Sequence, residues 1–560
     1  MRALSMFARL HFLRHCRLSP LFSSCTFKEF KNLSQTSWSS LKVLKQREFR
    51  SYFLRPSVHD FSSQPRPSED DIKLNKVILS LKTVKEQLEL FGSIKSSASI
   101  VNRVTMLHSI AKITGRDGNQ RRVLEQEKGK SRQAFNSAYL ALLDSISKDI
   151  AKCKPWDLAN VIWALGKVQE KDHELVQVCE RVILSRDITA FDKVNITQIA
   201  NGCINLDLTA TEISFTLQES IRNGQLKIAN FDNQLLSSML MLFAKSDGCA
   251  VELFDIFLKE ILSRDFLLMS SSDLALFVWS FAKKELKADT LFDKVEEEIL
   301  RRGTANLKRR DIFQILWAFG MSKKGGKQLF NTLDNDIVVK GKEGFNNAEL
   351  LQIVGSFARR NITKAQVFDV VKDEVFNRGV GKFQFHELVL ILHSFVSARR
   401  HDNKLVNEIE CELQSRDAKQ FCNGHLSQVA WSLGRARKSD SKMLNVIEAE
   451  VFKRGLHQFS RVQKFMLLRG YIEAKRGSRK FYESLQSSLL TNDFSDLTAR
   501  DIYDFAWCFS EAGVNTGPLF DALEKEILNK GNDIFSNMQL SSIKKSFQKV
   551  GKGTKELFKL

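Results

Sequence analysis

A chain of 560 residues and 64.0 kDa with 43% hydrophobic residues can bury a large core, and its formal charge of +20 (pI near 9.5) favours a polyanionic partner, nucleic acid first among them. None of the nine cysteines forms a C-x-x-C pair, which argues against a zinc site or a disulfide scaffold and fits small apolar residues in a reducing compartment. No run of 18 apolar residues exists, so no membrane-spanning helix is expected.

The elements follow in chain order. Residues 1–60 hold eleven Lys and Arg against three acids, and the first acid is Glu29. An Arg- and Ser-rich, acid-poor leader of this kind reads as a mitochondrial transit peptide with its linker, and the matrix as the destination. A basic tail and a plastid address are the other readings. Residues 61–100 are expected to be linker and an N-terminal capping helix near 70–92. Residues 101–150 read as an irregular first helical unit, with a charged insertion at Gly115–Gln133. Four of the six prolines lie before residue 68. Pro155 and Pro518 each precede a predicted helix, where proline is tolerated.

Residues 151–550 are self-similar. Leu158-Ala-Asn-Val-Ile-Trp163, Leu274-Ala-Leu-Phe-Val-Trp279, Ile312-Phe-Gln-Ile-Leu-Trp317, Leu426-Ser-Gln-Val-Ala-Trp431 and Ile502-Tyr-Asp-Phe-Ala-Trp507 share one pattern. The tryptophan column runs Trp163, Asn201, Met241, Trp279, Trp317, Gly355, His393, Trp431, Arg469, Trp507 and Lys545, at intervals of 38 with one of 40. Apolar residues five and two before this column and two after it make a helical stripe. The position after the column is small in most copies, as at Gly202, Ser280, Ser356 and Gly470, and would let neighbouring helices approach. A second helix carries an anchor thirteen past the column, such as Phe254, Phe292, Phe330, Phe368 and Phe520. Gly303, Gly341, Gly379, Gly455 and Gly531 then read as helix stops. One such pair cannot bury its apolar face alone, so the expected fold is an all-α solenoid of about eleven helix-turn-helix repeats. Residues 551–560 are expected to be a C-terminal tail.

The 38-residue helix pair with a Trp-Ala-Leu/Phe core resembles the octotricopeptide repeats of organellar RNA-binding proteins, and the related helical repeats of RAP-domain and FASTK-type proteins. The resemblance covers roughly residues 100–550. It implies non-catalytic binding of organellar RNA in processing, stability, translation or ribosome assembly. Some members of such families belong to mitochondrial ribosomes, so messenger and ribosomal RNA and mitochondrial ribosomal proteins are the implied partners. The Pro-Pro-Pro-Glu-Trp signature is absent, and no RAP domain is expected after the last repeat. The nuclease-like activity suggested for that domain is therefore not carried over. A structural ribosomal protein, or a protein-binding scaffold without RNA contact, is the alternative reading.

A basic column follows each first helix: Lys167, Lys245, Lys283, Lys284, Lys323, Lys324, Arg359, Arg360, Arg399, Arg400, Arg435, Arg437, Lys438, Lys475 and Arg476. Stacked repeats would align it into a ridge that follows a phosphate backbone. A second column, 23 past the tryptophan position, includes Arg186, Arg264, Arg302, Arg416 and Arg454, and the helix dipole accounts for it. Polar residues three before the tryptophan column (Asn160, Gln198, Gln314, Gln352 and Gln428) are the candidates for reading bases. The tryptophans themselves read as packing residues. The chain lacks G-x-x-x-x-G-K-[ST], H-E-x-x-H and Gly-x-Ser-x-Gly, and its ten histidines are scattered, so no catalytic residue, metal, cofactor, small-molecule substrate or membrane is expected.

Overall fold

The computed structural model describes residues 68–560 apart from 96, 132–136, 209–210, 247, 250, 306, 341–343, 401, 491–493 and 515–516. The leader at 1–60 and Gly341 lie outside the described residues. The described residues form twenty-seven α-helices and no strand. The chain divides into two compact units, residues 61–367 and 368–560.

The first unit opens on α1 (Glu69–Ser80), α2 (Val84–Ile94), α3 (Ile100–Arg116), α4 (Gly118–Ser131) and α5 (Ala138–Asp149). Two capping-box helices therefore stand where one capping helix was expected, because Thr83 and Glu86 start a second. The charged segment after Gly115 is itself mostly helix α4, which buries Leu124 and follows directly on Asp117, whose carboxylate accepts from the Asn119 N–H. First helices α6 (Pro155–Lys167), α8 (Lys193–Asn205), α10 (Asn233–Lys245), α12 (Ser271–Lys283), α14 (Arg309–Met321) and α16 (Asn347–Arg359) then alternate with second helices α7 (Glu174–Leu184), α9 (Glu212–Arg222), α11 (Val251–Ser263), α13 (Asp289–Arg302) and α15 (Lys327–Lys340).

The second unit continues the same alternation. Its first helices are α18 (Phe385–Ser397), α20 (Asn423–Arg435), α22 (Arg461–Glu473), α24 (Ala499–Ala512) and α26 (Asn537–Lys549). Its second helices are α17 (Val367–Arg378), α19 (Asn403–Gln414), α21 (Lys442–Arg454), α23 (Arg479–Leu490) and α25 (Gly517–Lys530). The expected C-terminal tail contains a short helix, α27 (Lys555–Lys559), held by buried Leu557. Both units are all-α solenoid segments in which first helix stacks on first helix.

Four recurring contacts build each repeat. The small residue after the tryptophan column lets the first-helix backbones touch: a Cβ on Gly202 would lie 2.7 Å from the Ile162 carbonyl oxygen. The aromatic residue two past the column receives the second-helix anchor of the preceding repeat edge-on. The centroids of Phe254–Phe281, Phe292–Phe319, Phe330–Phe357, Phe368–Phe395 and Phe520–Phe547 are 5.5, 5.1, 5.3, 5.3 and 4.8 Å apart. Such pairs contribute about 0.5–1.5 kcal/mol each beyond area burial.

The third contact starts the first helix. An N-cap nine before the column, such as Asp192, Asp232, Ser270, Asn346, Ser460 or Thr498, accepts from the N–H three residues on. The residue before it is buried and apolar in every following repeat, as at Phe191, Phe231, Phe345, Phe383 and Phe421. This is the position of a hydrophobic staple, whose partner would be the apolar residue five before the column.

The fourth contact corrects the reading of the second basic column. Arg186, Arg264, Arg302, Arg416 and Arg454 do not simply answer the helix dipole. Each reaches from the end of its second helix to carbonyls just before the first helix of the same repeat. Arg302 donates to Met269 and Phe266 at 2.8 Å each, and Arg454 to Phe421 at 2.6 Å and Ala418 at 3.1 Å. A carboxylate one turn earlier, such as Glu260, Glu412 or Glu450, holds the guanidinium in place.

The helix ends also differ from expectation. The glycines that close second helices adopt positive φ with extended ψ (74° and 166° at Gly303), a conformation essentially closed to other residues. The left-handed helical stop sits instead at the end of the first helix, six past the column, and is mostly not glycine: Gln169, Asp207, Glu285, Lys323, Asn361, Arg399, Arg437 and Lys475 have φ between 53° and 58°. The next N–H closes each turn onto the aromatic position's carbonyl, as in Arg400 to Phe395 (2.8 Å) and Arg476 to Tyr471 (2.9 Å).

Candidate nucleic-acid interface

The tryptophan column forms a ladder along the first-helix layer. His108 packs tilted against Trp163 at 4.9 Å, Trp279 against Trp317 at 5.7 Å, and His393 against Trp431 at 4.9 Å, while the Arg469 guanidinium lies 6.0 Å from the Trp507 ring. Trp317 is 1% exposed. Trp317 is thus committed to packing between repeats, whereas Trp163, Trp279, Trp431 and Trp507 are half-buried and keep part of the ring at the surface.

The base-reading candidates lie beside this ladder. Asn160 is 6% exposed and accepts from the Gln198 side chain at 3.0 Å. The side-chain oxygens of Gln198, Gln314 and Gln428 are buried and meet no partner. These three oxygens are turned away from solvent, although the residues themselves are half-buried. Gln352 is half-buried.

The basic turn column does not survive as one ridge. Its members occupy positions four, five, six and seven past the tryptophan column, and each position points elsewhere. At position five, Lys284 donates to the Ser246 carbonyl at 2.5 Å, and Arg360 to the Lys323 and Gly325 carbonyls at 2.5 and 2.6 Å. At position seven, Lys324 pairs with Asp289 at 3.0 Å, Arg400 with Asp369 at 2.7 Å, and Arg476 donates to Ser439 and Asn445 at 3.0 and 2.6 Å. All of these partners belong to the preceding repeat, so the cations tie turn to turn. Lys438 pairs with its own Asp440 at 3.0 Å.

Position six is different. Lys323, Arg399, Arg437 and Lys475 are exposed, stand in the left-handed stop conformation, and meet no carboxylate among the described residues. Arg399, Arg437 and Lys475 occupy three consecutive repeats of the second unit. Non-glycine residues in this conformation cost roughly 1–2 kcal/mol each, and glycine takes the same position at Gly513 and Gly551.

Position four lies on the tryptophan face. The Lys167 ammonium is 5.8 Å from the Trp163 ring. Lys245 and Lys283 are half-buried. Burial pulls the Arg359 guanidinium down to about 10, and its Nη1 meets no acceptor. In the second unit, Arg435 pairs with Glu473 at 3.2 Å. Arg310, absent from the sequence reading, joins this face: its Nη2 lies 3.8 Å from Met241 Sδ, two repeats away.

No family model matches the chain, and no curated protein matches its sequence. Among solved structures the chain is similar to the pentatricopeptide repeat protein PPR10 in complex with an 18-nt psaJ RNA element, at 10% identity, over 88% of this chain and 85% of that one, with a TM-score of 0.25. A triple cysteine-to-serine form of PPR10 with the same element gives the same values. A TM-score of 0.25 is below the level at which two chains share a fold, so the likeness assigns neither fold nor function. No described helix is long and apolar enough to cross a membrane.

Proposed function

We propose that this protein binds single-stranded RNA in mitochondria without catalysis, and serves RNA processing, stability, translation or ribosome assembly there. The observation that carries the reading is the run of exposed cations at Arg399, Arg437 and Lys475, set at the same strained turn position in three consecutive repeats and meeting no carboxylate among the described residues. Cations repeated along a solenoid edge can follow a phosphate backbone. The 38-residue period resembling organellar RNA-binding repeats and the acid-poor leader support the same reading. Base selectivity along the whole array is not expected, because Asn160 is buried and Gln198, Gln314 and Gln428 turn their amide oxygens away from solvent.

The test is fluorescence anisotropy with single-stranded RNA across a salt series, comparing the wild type with a triple Arg399→Gln, Arg437→Gln, Lys475→Gln variant. Losing three phosphate contacts lowers the salt slope by about 2 and weakens binding across all sequences. Unchanged slope and affinity would refute the edge. A start of the mature chain between about residues 30 and 65 is expected on import, and an intact Met1 in the organellar protein would count against the leader.

A scaffold without RNA contact is the second reading. It is favoured by Asp289 and Asp369, acids of the second helices that neutralise Lys324 and Arg400. Crosslinking to RNA in isolated mitochondria followed by sedimentation separates the two. Crosslinks in a light fraction mark a dedicated factor, those in a ribosomal subunit peak mark a ribosomal role, and none in either leaves the scaffold.

A further inference from the structure

The position four past the tryptophan column shares a helix face with the column itself. In the first unit this position carries cations at Lys167, Lys245, Lys283 and Arg359, and no acid. In the second unit the same position is balanced: Arg435 pairs with Glu473, and Lys549 with Glu511 at 2.7 Å. The asymmetry lies at equivalent positions of the same repeat, so helix ends and turn chemistry do not explain it.

Within the first unit the cations converge. Met241 lies one turn before Lys245 on α10, and Arg310 of α14 reaches Met241 past the intervening α12. Lys283 closes the α12 face between them. The charged neighbours of Lys245 are Asp207, Arg310, Lys171 and Lys283, and Asp207 already pairs with Lys171. Burial first, then the crowding of Arg310, Lys171 and Lys283, holds the Lys245 ammonium below the usual lysine range, against the pull of Asp207. Like charges from three consecutive first helices, with Lys245 and Lys283 half-buried and Arg310 exposed, repel one another, and a bound anion removes that repulsion.

We propose that Lys245, Lys283 and Arg310 form an anion site on the first-helix face of α10, α12 and α14, which holds a phosphodiester of single-stranded RNA. The identity of the ligand rests on the RNA reading above; the site itself rests on the geometry. One phosphate there bridges three repeats, so binding stiffens this part of the first unit. Trp279, one turn before Lys283, half-buried and packed at a tilt against Trp317, gives the face an aromatic flank.

The experiment uses the full chain, with Arg310→Gln plus Lys245→Gln against wild type, and Arg310→Lys as the charge-keeping control. Two probes are applied: single-stranded RNA by anisotropy, and inorganic tripolyphosphate by thermal shift. The double variant is expected to lose roughly 10–100-fold in RNA affinity, the scale of one or two charge-assisted hydrogen bonds. It should also lose the thermal shift that tripolyphosphate gives wild type, while Arg310→Lys keeps most of both. A melting temperature without ligand at or above the wild-type value shows that the variant is folded. If wild type takes tripolyphosphate through these residues but binds no RNA, the anion site stands and the RNA reading falls. If RNA binding and thermal shift persist in the double variant, the site is wrong while the RNA reading survives. If wild type responds to neither probe, both fall.

Discussion

Gly470→Ala sets two effects of opposite sign against each other. Gly470 is in the interior of α22, where alanine is favoured by about 1 kcal/mol on helix propensity. The added Cβ, however, would lie 2.5 Å from the Ala430 carbonyl carbon and 2.7 Å from the Trp431 nitrogen, and closer still to the Ala430 oxygen. Unstrained carbon contacts are about 3.5–4.0 Å, so α20 and α22 must part by roughly 1 Å, and no side chain can rotate away to relieve the clash. Overpacking costs about 1–3 kcal/mol, and here the obstacle is backbone, which places it at the upper end. The net expectation is a loss of about 1–2 kcal/mol, confined to this pair because stability in repeat arrays is largely a nearest-neighbour sum. Gly92 in α2 has nothing within 4 Å of its built Cβ, so the identical substitution there should gain about 0.5–1 kcal/mol. Hydrogen exchange read by mass spectrometry on peptides covering 423–435 and 461–473 resolves the local loss. Equal or slower exchange in Gly470→Ala would refute the claim that these first helices meet backbone to backbone.

Other changes follow from the same contacts. Arg454→Leu should destabilise by about 1–3 kcal/mol, because it strips donors from the Ala418 and Phe421 carbonyls and leaves Glu450 unpaired; denaturant melts that match wild type would contradict a stabilising role for this arginine–carbonyl contact. Glu285→Gly should stabilise by about 0.5–1 kcal/mol, because Glu285 stands at φ 56° where only glycine is unstrained; a lower melting temperature would contradict that. His108 is held at about 4, by burial first and the Lys112 charge second, against 6.5 for a free imidazole. Its unfolded state takes up a proton first, so stability is full above about pH 6.5 and falls as the pH drops towards 4. His108→Phe should flatten the thermal melts over that window, and an unchanged pH profile would show that the ring is not the cause.

The period and the fold class were legible because the first helix carries three apolar columns at fixed offsets and the second carries one aromatic anchor. The edge-to-face pairs such as Phe292–Phe319 even join two of the columns visible in the sequence. What escaped lies outside a helical stripe. The staple residues Phe383 and Phe421 sit in the linker, where periodicity carries no signal. The left-handed stops at Gln169 and Glu285 escaped because no glycine marks them, and the repeat tolerates the strain for the turn-closing hydrogen bonds. The arginines at 302 and 454 bond to backbone carbonyls, and a carbonyl acceptor leaves no trace in residue identity.

The basic column shows why the candidate site was only partly legible. A helix turns by about 100° per residue, so four successive positions around a helix end face in four directions although a sequence reading gathers them into one turn. Position four continues the tryptophan face, position five bends back to the previous turn, position six projects outward from a left-handed residue, and position seven reaches polar groups of the neighbouring helix pair, acids at Lys324 and Arg400. Lys283, Lys284, Lys323 and Lys324 span all four, so adjacent lysines of identical chemistry do different work. Charge counting along the turns therefore overstates the ridge and understates the face, where Arg310 arrives from a different helix altogether. The variants at positions four and six test this division directly. If phosphate contact were spread evenly over the turns, charge removal at Arg437 and at Lys324 would weaken RNA binding equally. If position decides, removal at Arg437 lowers affinity, whereas removal at Lys324 releases Asp289 and loosens the repeat junction, which hydrogen exchange between α13 and α14 would report.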